Sequence, residues 1–115
     1  MPIKTDDNSP GSIDAEQTVS AVFKLLSHHR RRIAVQYLAT QAGTTSVSDV
    51  ADQIALLEGE HTPDRYERIC TSLVHVHLPM LADGGAIEYD RDRQVVELSD
   101  QATDMLPYLE LAAAV

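Results

Sequence analysis

One polar stripe of the sequence carries side chains that can contact nucleic acid. Residues 63–82 predict a long helix, and at about 100° per residue its apolar side chains cover about half of the circumference. The opposite side carries Arg65, Arg68, Ser72 and His75, spaced 3, 4 and 3 residues apart, with Thr71 beside them. Arginine pairs with a base edge or a phosphate, and serine, threonine and histidine can donate to either. The stripe predicts a DNA-contacting face, and the alternative is a solvated helix surface.

A dense basic run precedes the second predicted helix. It consists of His28, His29, Arg30, Arg31 and Arg32. Positive charge in the first turn of a helix opposes the macrodipole at a cost of some tenths of a kcal/mol per group, so we expect a compensating partner. That partner is either a phosphate or an acid such as Asp14 or Asp52. Phosphate contact by at least one of the three arginines and a structural brace both remain open.

Two further arginines flank the tip of a predicted β-hairpin. Arg91 and Arg93 alternate with aspartates in the sequence Asp-Arg-Asp-Arg. Basic residues at such a tip can lie along a phosphate strand or in the minor groove. The local net charge is near zero, however, so a solvated turn is an equally good interpretation.

The other reactive residue types form no catalytic or metal-binding pattern. His77 falls in the middle of the apolar arc of the long helix and is expected to be a core histidine. Cys70 shares that face but lies about 10 Å away along the helix axis, too far for both residues to bind one tetrahedral zinc ion. The sequence contains no phosphate-binding glycine loop, nucleophile elbow or HExxH motif. We expect neither an enzyme nor a metal or cofactor site.

The composition is acidic and poor in lysine. The 115 residues include 18 acids and 9 bases, for a formal charge of −9, and aromatic residues make up 4%. Such a composition is typical of proteins from a high-salt cytoplasm, where carboxylates keep the chain hydrated and salt screens their repulsion. An ordinary acidic protein is the alternative. A single cysteine excludes a disulfide framework, and the chain has neither a membrane-length apolar run nor a signal-peptide pattern, so we expect a cytoplasmic protein.

Apolar periodicity and capping residues predict the secondary structure. The predicted elements are helices over 15–26, 28–41 and 49–57, a short strand over 45–47, a long helix over 63–82, strands over 86–90 and 93–98, and a helical segment over 100–115. Asp14, Ser27, Ser48 and Thr62 are the expected helix caps, the last followed by proline at the first helical position. Pro79 is expected to bend the long helix near residues 76–78.

Two stretches of the sequence resemble a known fold family. Residues 22–33 read VFKLLSHHRRRI and residues 77–90 read HLPMLADGGAIEYD. They resemble a widespread, functionally uncharacterised family of haloarchaeal winged-helix domains and, more distantly, prokaryotic winged-helix repressors. The resemblance covers about Thr18 to Ser99. The chain departs from the pattern in the segment over 58–67, which is longer than a tight helix-turn-helix turn, and at Pro79, where regulators usually carry a polar residue.

The predicted fold class is therefore mainly α with a small β-hairpin. It is a winged helix-turn-helix over 14–99, preceded by a disordered tail over 1–13 and followed by a helical segment over 100–115. The resemblance implies a cytoplasmic transcriptional regulator that binds double-stranded DNA. The alternative is a protein–protein interaction module on the same fold, which would be favoured if acids such as Asp64, Glu67 and Asp92 dominate the face that carries the arginines.

The two ends of the predicted domain indicate a homodimer. Apolar stripes occur in the first helix and in the last segment, at Val19, Val22, Phe23 and Leu26 and at Met105, Leu106, Leu109 and Leu111. Two copies related by a two-fold axis would bury both stripes. The competing interpretation is that both segments fold back on their own core as a cap.

Overall fold

The computed structural model describes residues 19–109. The predictions for the tail over 1–13, for Asp14 and for Leu111 lie outside these residues. The chain is mainly helical with a small antiparallel sheet, as predicted at that level. In chain order the elements are α1 (19–25), α2 (His29–Ala39), β1 (Thr45–Ser46), α3 (Val47–Glu58), α4 (Pro63–Ser72), a π-helical turn (Leu73–His77), α5 (Leu78–Asp83), β2 (Ile87–Asp90), β3 (Val95–Leu98), a 3-10 segment (Asp100–Asp104) and a last helical turn (106–109). None of the described helices has the length and hydropathy of a membrane span.

Side-chain caps fix where the helices begin. The cap predicted at Thr62 is confirmed: its hydroxyl accepts the amide of the third residue on, and proline occupies the first turn. The cap of α2 is His28 instead of Ser27, and its ring nitrogen Nδ1 accepts an amide at 3.1 Å. The cap of α3 is Ser46 instead of Ser48. Strand pairing explains the second difference, because β1 ends at Ser46 and the helix starts directly after it.

The long helix contains one wide turn. Pro79 has no N–H, and its ring would clash with the carbonyl four residues back, at His75, in a regular α-helix. The chain relieves this clash with the π-helical turn Leu73–His77, in which the amide of Leu78 donates to the carbonyl of Leu73, five residues back. The disturbance predicted at 76–78 is therefore present and begins earlier, and the helix continues through it to Asp83.

The π-helical turn changes which side chains face outward. A wide turn advances less per residue than the about 100° of an α-helix, so the helical phase shifts at this turn relative to the predicted wheel. Val76, predicted to lie in the apolar arc, is 47% exposed, whereas His77 is only 4% exposed. The prediction of a core histidine is confirmed, and the prediction for Val76 is wrong.

The sheet has three strands in the order β1-β3-β2. Both pairings are antiparallel: Thr45 of β1 and Tyr89 of β2 lie opposite Val96 of β3. Val96 is completely buried, so the centre of the sheet faces the core. The hairpin tip is two residues wider than predicted, and it closes through Gln94 in the left-handed conformation, with φ of 55°.

One hydrophobic core joins the helices to the sheet. Its completely buried large side chains are Leu26, Val35, Val50, Ile54, Ile69, Leu73, Leu78, Leu81 and Val96. The segment after the sheet packs against α1, where the ring of Tyr108 contacts that of Phe23 edge-to-face at 5.6 Å between centroids.

The apolar stripes considered for a dimer are largely covered within one chain. Val22 of α1 and Leu26 directly after it are buried, and so are Met105 and Leu109. This is the arrangement expected of a cap on the chain's own core.

Candidate nucleic-acid interface

A short turn joins α3 to α4. Helix α3 continues through Glu58, so the turn is only 59–62. Gly59 adopts a left-handed conformation with φ of 82°, which glycine reaches without strain, and its amide bonds back to the carbonyls of Ala55 and Leu56. Helix-turn-helix units use a turn of about 3–4 residues that often contains glycine. The loop predicted over 58–62 is one residue shorter in the structure, because α3 continues through Glu58.

One exposed surface of the long helix gathers most of the predicted stripe. We call it the α4 face; it is a shallow depression lined by Asp64, Glu67, Arg68, Thr71, Ser72, His75 and Val76. Four predicted contact residues lie together here, while the fifth member of the stripe, Arg65, does not. Two acids share the depression with them, so the face is mixed in charge.

The polar groups of the α4 face differ in how free they are. The Thr71 hydroxyl donates to the carbonyl of Glu67 at 2.9 Å. The Ser72 hydroxyl donates to a carbonyl of its own helix at 2.9 Å and accepts from Arg30 at 3.0 Å. In the described part of the chain, the side chains of Arg68 and His75 make no hydrogen bond. Arg68 and His75 are therefore the uncommitted donors of this face.

Arg65 turns away from the α4 face toward acids. One guanidinium nitrogen donates to Glu58 at 3.2 Å, and another pairs with Glu60. These carboxylates, Glu60 first, raise the pKa of Arg65. A contact between Arg65 and DNA would have to break these pairs.

Glu58 is the centre of an ion-pair cluster that joins three helices. Its carboxylate accepts from Arg30 at 2.8 Å, from His29 at 2.8 Å and from Arg65. The Glu58 side chain is 11% exposed, and the hydrogen bond from Arg30 holds its pKa at about 2 although burial acts in the opposite direction. The acid expected to compensate the basic run therefore exists, but it is Glu58. Asp52 instead binds His61 at 2.9 Å.

The other two arginines of the basic run bind the end of α1. Arg31 and Arg32 donate to the carbonyls of residues 24–26 at distances of 2.6 to 3.3 Å. These carbonyls lie where a helix leaves its last acceptors unpaired and carries negative partial charge. Arg31 is only 6% exposed, and burial lowers its pKa. Its placement is that of a brace between α1 and α2, the alternative that the sequence left open.

Three histidines and Arg31 form a packed group behind the α4 face. The ring of His77 lies 4.4 Å from that of His28, which stacks on His29 at 5.0 Å. Nδ1 of His77 is 3.1 Å from a guanidinium nitrogen of Arg31. Burial, followed by the charges of His28 and Arg31, lowers the pKa of His77 to about 4. His77 is therefore neutral at neutral pH and available as an acceptor for Arg31.

The hairpin places its two arginines among acids. Arg91 and Arg93 are exposed at the tip, on a surface also lined by Glu88, Asp90 and Glu97. The carboxylate of Asp90 accepts the amide of Arg93 at 3.1 Å. The tip is therefore an exposed surface of mixed charge.

Two features of the interface were missed in the sequence. Glu58 lies in the predicted loop, and no local pattern marks a carboxylate that meets a residue 28 positions earlier in the chain. Val76 lies in the predicted apolar arc. The feature of the sequence that indicates the exposure of Val76 is Pro79, because the proline changes the preceding turn and thereby decides which residues face outward.

Comparison with protein families places this architecture in a family without assigned activity. The match covers residues 23–97, from α1 to the last strand, and its description is "Domain of unknown function (DUF7344)". Comparison with curated proteins gives no match, and comparison with solved structures gives none either. Because the matched region includes the α2–α4 helices, the hairpin and nearly all of the third strand, the chain belongs to the DUF7344 family.

Proposed function

We propose that this chain is a winged-helix protein that binds double-stranded DNA and regulates transcription, with α4 in the major groove. The element order supports the proposal. Three helices, α2 to α4, precede a hairpin, and β1 joins the sheet beside β3. Helix-turn-helix proteins place the second helix of the unit in the major groove while the first crosses the backbone. Such a protein acts by occupying DNA, with no reaction of its own.

The observation that carries the proposal is the exposed α4 face. Helix α4 buries Ile69 against the core and turns Arg68 outward, and the π-helical turn that follows it exposes His75 beside Arg68. The major groove, about 12 Å wide, admits an α-helix, and arginine paired with guanine is the commonest specific contact there. The carboxylates of Asp64 and Glu67 are compatible with this role, because acids accept from the cytosine amino group.

The charges of the described surface limit how the protein would bind. Arg30, Arg31 and Arg65 are engaged within the protein, and Arg32 donates to a carbonyl. This leaves few cations for phosphates, so shape and base contacts have to carry affinity. In molar salt the Debye length is about 3 Å, so the repulsion between DNA and the distant carboxylates of an acidic protein is almost completely screened.

The proposal includes a homodimer that reads two half-sites about one helical turn apart. The support for a dimer is that two half-sites need two copies of the reading helix. The apolar stripes do not add to this support, because they are largely covered within each chain. The molar mass from light scattering in molar KCl tests it. A monomeric mass both free and on DNA would contradict the dimer.

A protein–protein interaction module is the second candidate, and one observation favours it. Asp64 and Glu67 outnumber Arg68 among the charged groups of the α4 face. A basic protein surface would satisfy these acids, and the same helix would then dock on protein instead of DNA.

Selection of genomic DNA fragments in molar KCl, followed by affinity measurement on the selected duplex, separates the two candidates. Replacing Arg68 with alanine should weaken binding by about 1–3 kcal/mol, as expected for loss of a base-reading contact. The matched control is Lys24→Ala, which removes one exposed positive charge from α1 and should leave affinity unchanged. Failure to select any duplex would contradict DNA binding, and a protein ligand lost on Asp64→Asn and Glu67→Gln would favour the second candidate.

A further inference from the structure

We infer that Val76 contacts the 5-methyl group of a thymine and thereby sets part of the sequence preference of the α4 face. This inference rests on the proposed DNA binding. It concerns one side chain that the helical pattern assigned to the core and that the structure places at the surface.

The exposure of Val76 stands out from its surroundings. Val76 is 47% exposed, while Leu73 and Leu78, three residues before it and two after it, are completely buried. It lines the same depression as Arg68 and His75. An aliphatic side chain is thereby exposed among polar groups, on a helix that otherwise turns its large apolar groups inward.

The π-helical turn is what moves Val76 outward. In a continuous α-helix this residue would lie at the edge of the apolar arc, and the wide turn over 73–77 rotates it onto the polar side. Isolated π-helical turns persist at some cost in hydrogen-bond geometry and are frequent at functional sites. Pro79 imposes the turn, so the position of Val76 follows from the sequence.

The chemistry of the α4 face matches the edge of a base pair. In the major groove, guanine presents two acceptors, and thymine presents one acceptor and a methyl group. Arg68 supplies donors and Val76 supplies an aliphatic surface. The two residues are eight positions apart, which is about 12 Å at the rise of an α-helix. The geometry points to a guanine and a thymine at separate base pairs of each bound site.

Uracil substitution in the selected duplex tests this contact, because uracil differs from thymine only by the missing methyl group. Thymines are replaced one at a time, and affinity is measured in molar KCl. At one position per half-site we expect a loss of about four-fold for the unaltered protein, from the burial of one methyl group. Val76→Ala should bind the thymine duplex about as weakly and should no longer distinguish thymine from uracil.

The matched control is Leu57→Ala, which shortens an exposed aliphatic side chain outside the α4 face. It should keep the full uracil effect. Equal affinity for thymine and uracil at every position, or an undiminished effect in Val76→Ala, overturns the inference. If the Arg68 variant still loses affinity in that case, DNA binding stands and only the role of Val76 fails. If no duplex binds, both fail, and loss of a protein ligand in Val76→Ala would make the residue part of a protein interface.

Discussion

Among single residues, Glu58 pairs with side chains of two other helices, α2 and α4. Replacing it with glutamine should lower the free energy of unfolding at pH 7 by about 2–3 kcal/mol, because Arg30 loses its carboxylate partner and Arg65 keeps only Glu60. The folded-state pKa of about 2 lies below the ordinary value of 4.5. The stabilisation is therefore complete above about pH 4.5 and is lost as the pH falls toward 2.

Urea unfolding across this pH range measures the effect of Glu58. The difference between the unaltered protein and Glu58→Gln should shrink in acid. The control is Asp52→Asn, which breaks the exposed pair with His61 and should leave stability essentially unchanged. Equal stability of the two variants at pH 7 would show that the Glu58 cluster does not hold the helices together.

His77 acts in a different pH window. Its folded-state pKa of about 4 lies below the ordinary 6.5, so in between the unfolded chain binds more protons. Stability should therefore be complete above about pH 6.5 and fall as the pH drops toward 4, by roughly 2–3 kcal/mol.

Substituting glutamine for His77 keeps an acceptor for Arg31 and removes the titration. In this variant the slope of stability between pH 6.5 and 4 should be reduced, while the slope below pH 4.5 from Glu58 remains. An unchanged slope in the upper window would mean that His77 is protonated in the folded protein. An aspartate in place of the buried His77 would be a less informative variant. The guanidinium of Arg31 would pair with the new carboxylate, so the charge would not be left unpaired.

At the scale of elements, the contact between α1 and the end of α5 depends on a glycine, Gly84, which has no side chain. A Cβ atom on Gly84 would lie 2.4 Å from a methyl carbon of Leu25. Gly84→Ala should destabilise the fold by about 1–3 kcal/mol through overpacking.

A double-mutant cycle checks the packing of Gly84. Leu25→Ala should cost less in the Gly84→Ala background than in the unaltered protein, since the smaller side chain makes room for the added methyl group. Additive costs in thermal or urea unfolding would show that the two residues do not meet.

The sequence was a good guide to elements and a poor one to their exact phase. Thr62 and Pro63 mark the start of α4 because capping is a local interaction, and the hairpin follows from alternating residues. The cap at Ser46 depends instead on strand pairing with residues about fifty positions away, and the exposure of Val76 depends on a wide turn. Within the candidate interface, the stripe was found by periodicity, but the partners of Arg30, Arg31 and Arg65 belong to other elements and leave no local pattern.

At the scale of the whole molecule, internal pairing sets the salt dependence expected of DNA binding. Each phosphate contact contributes about −0.9 to the slope of log affinity against log salt concentration. The arginines most available for phosphates are Arg68, Arg91 and Arg93, so the slope should be no steeper than about −3 per protomer. Arg91→Ala with Arg93→Ala should make it shallower by about 2, while Lys24→Ala serves as the control. A slope near −6 would mean that the basic run leaves its internal partners on binding.

The two-residue strand β1 also governs the order in which the protein assembles. Thr45 meets Val96 across about fifty residues of chain, and closing so long a loop costs entropy that two residue pairs repay poorly on their own. Packing of α2, α3 and α4 involves shorter separations and can form first. Strand β1 therefore joins a helical unit that already exists, and replacements at Thr45 should mainly accelerate unfolding while leaving the folding rate nearly unchanged. A strand that docks last is also the first to detach. We therefore expect unfolding of the described chain to begin with loss of the pairing between β1, at the start of α3, and the hairpin.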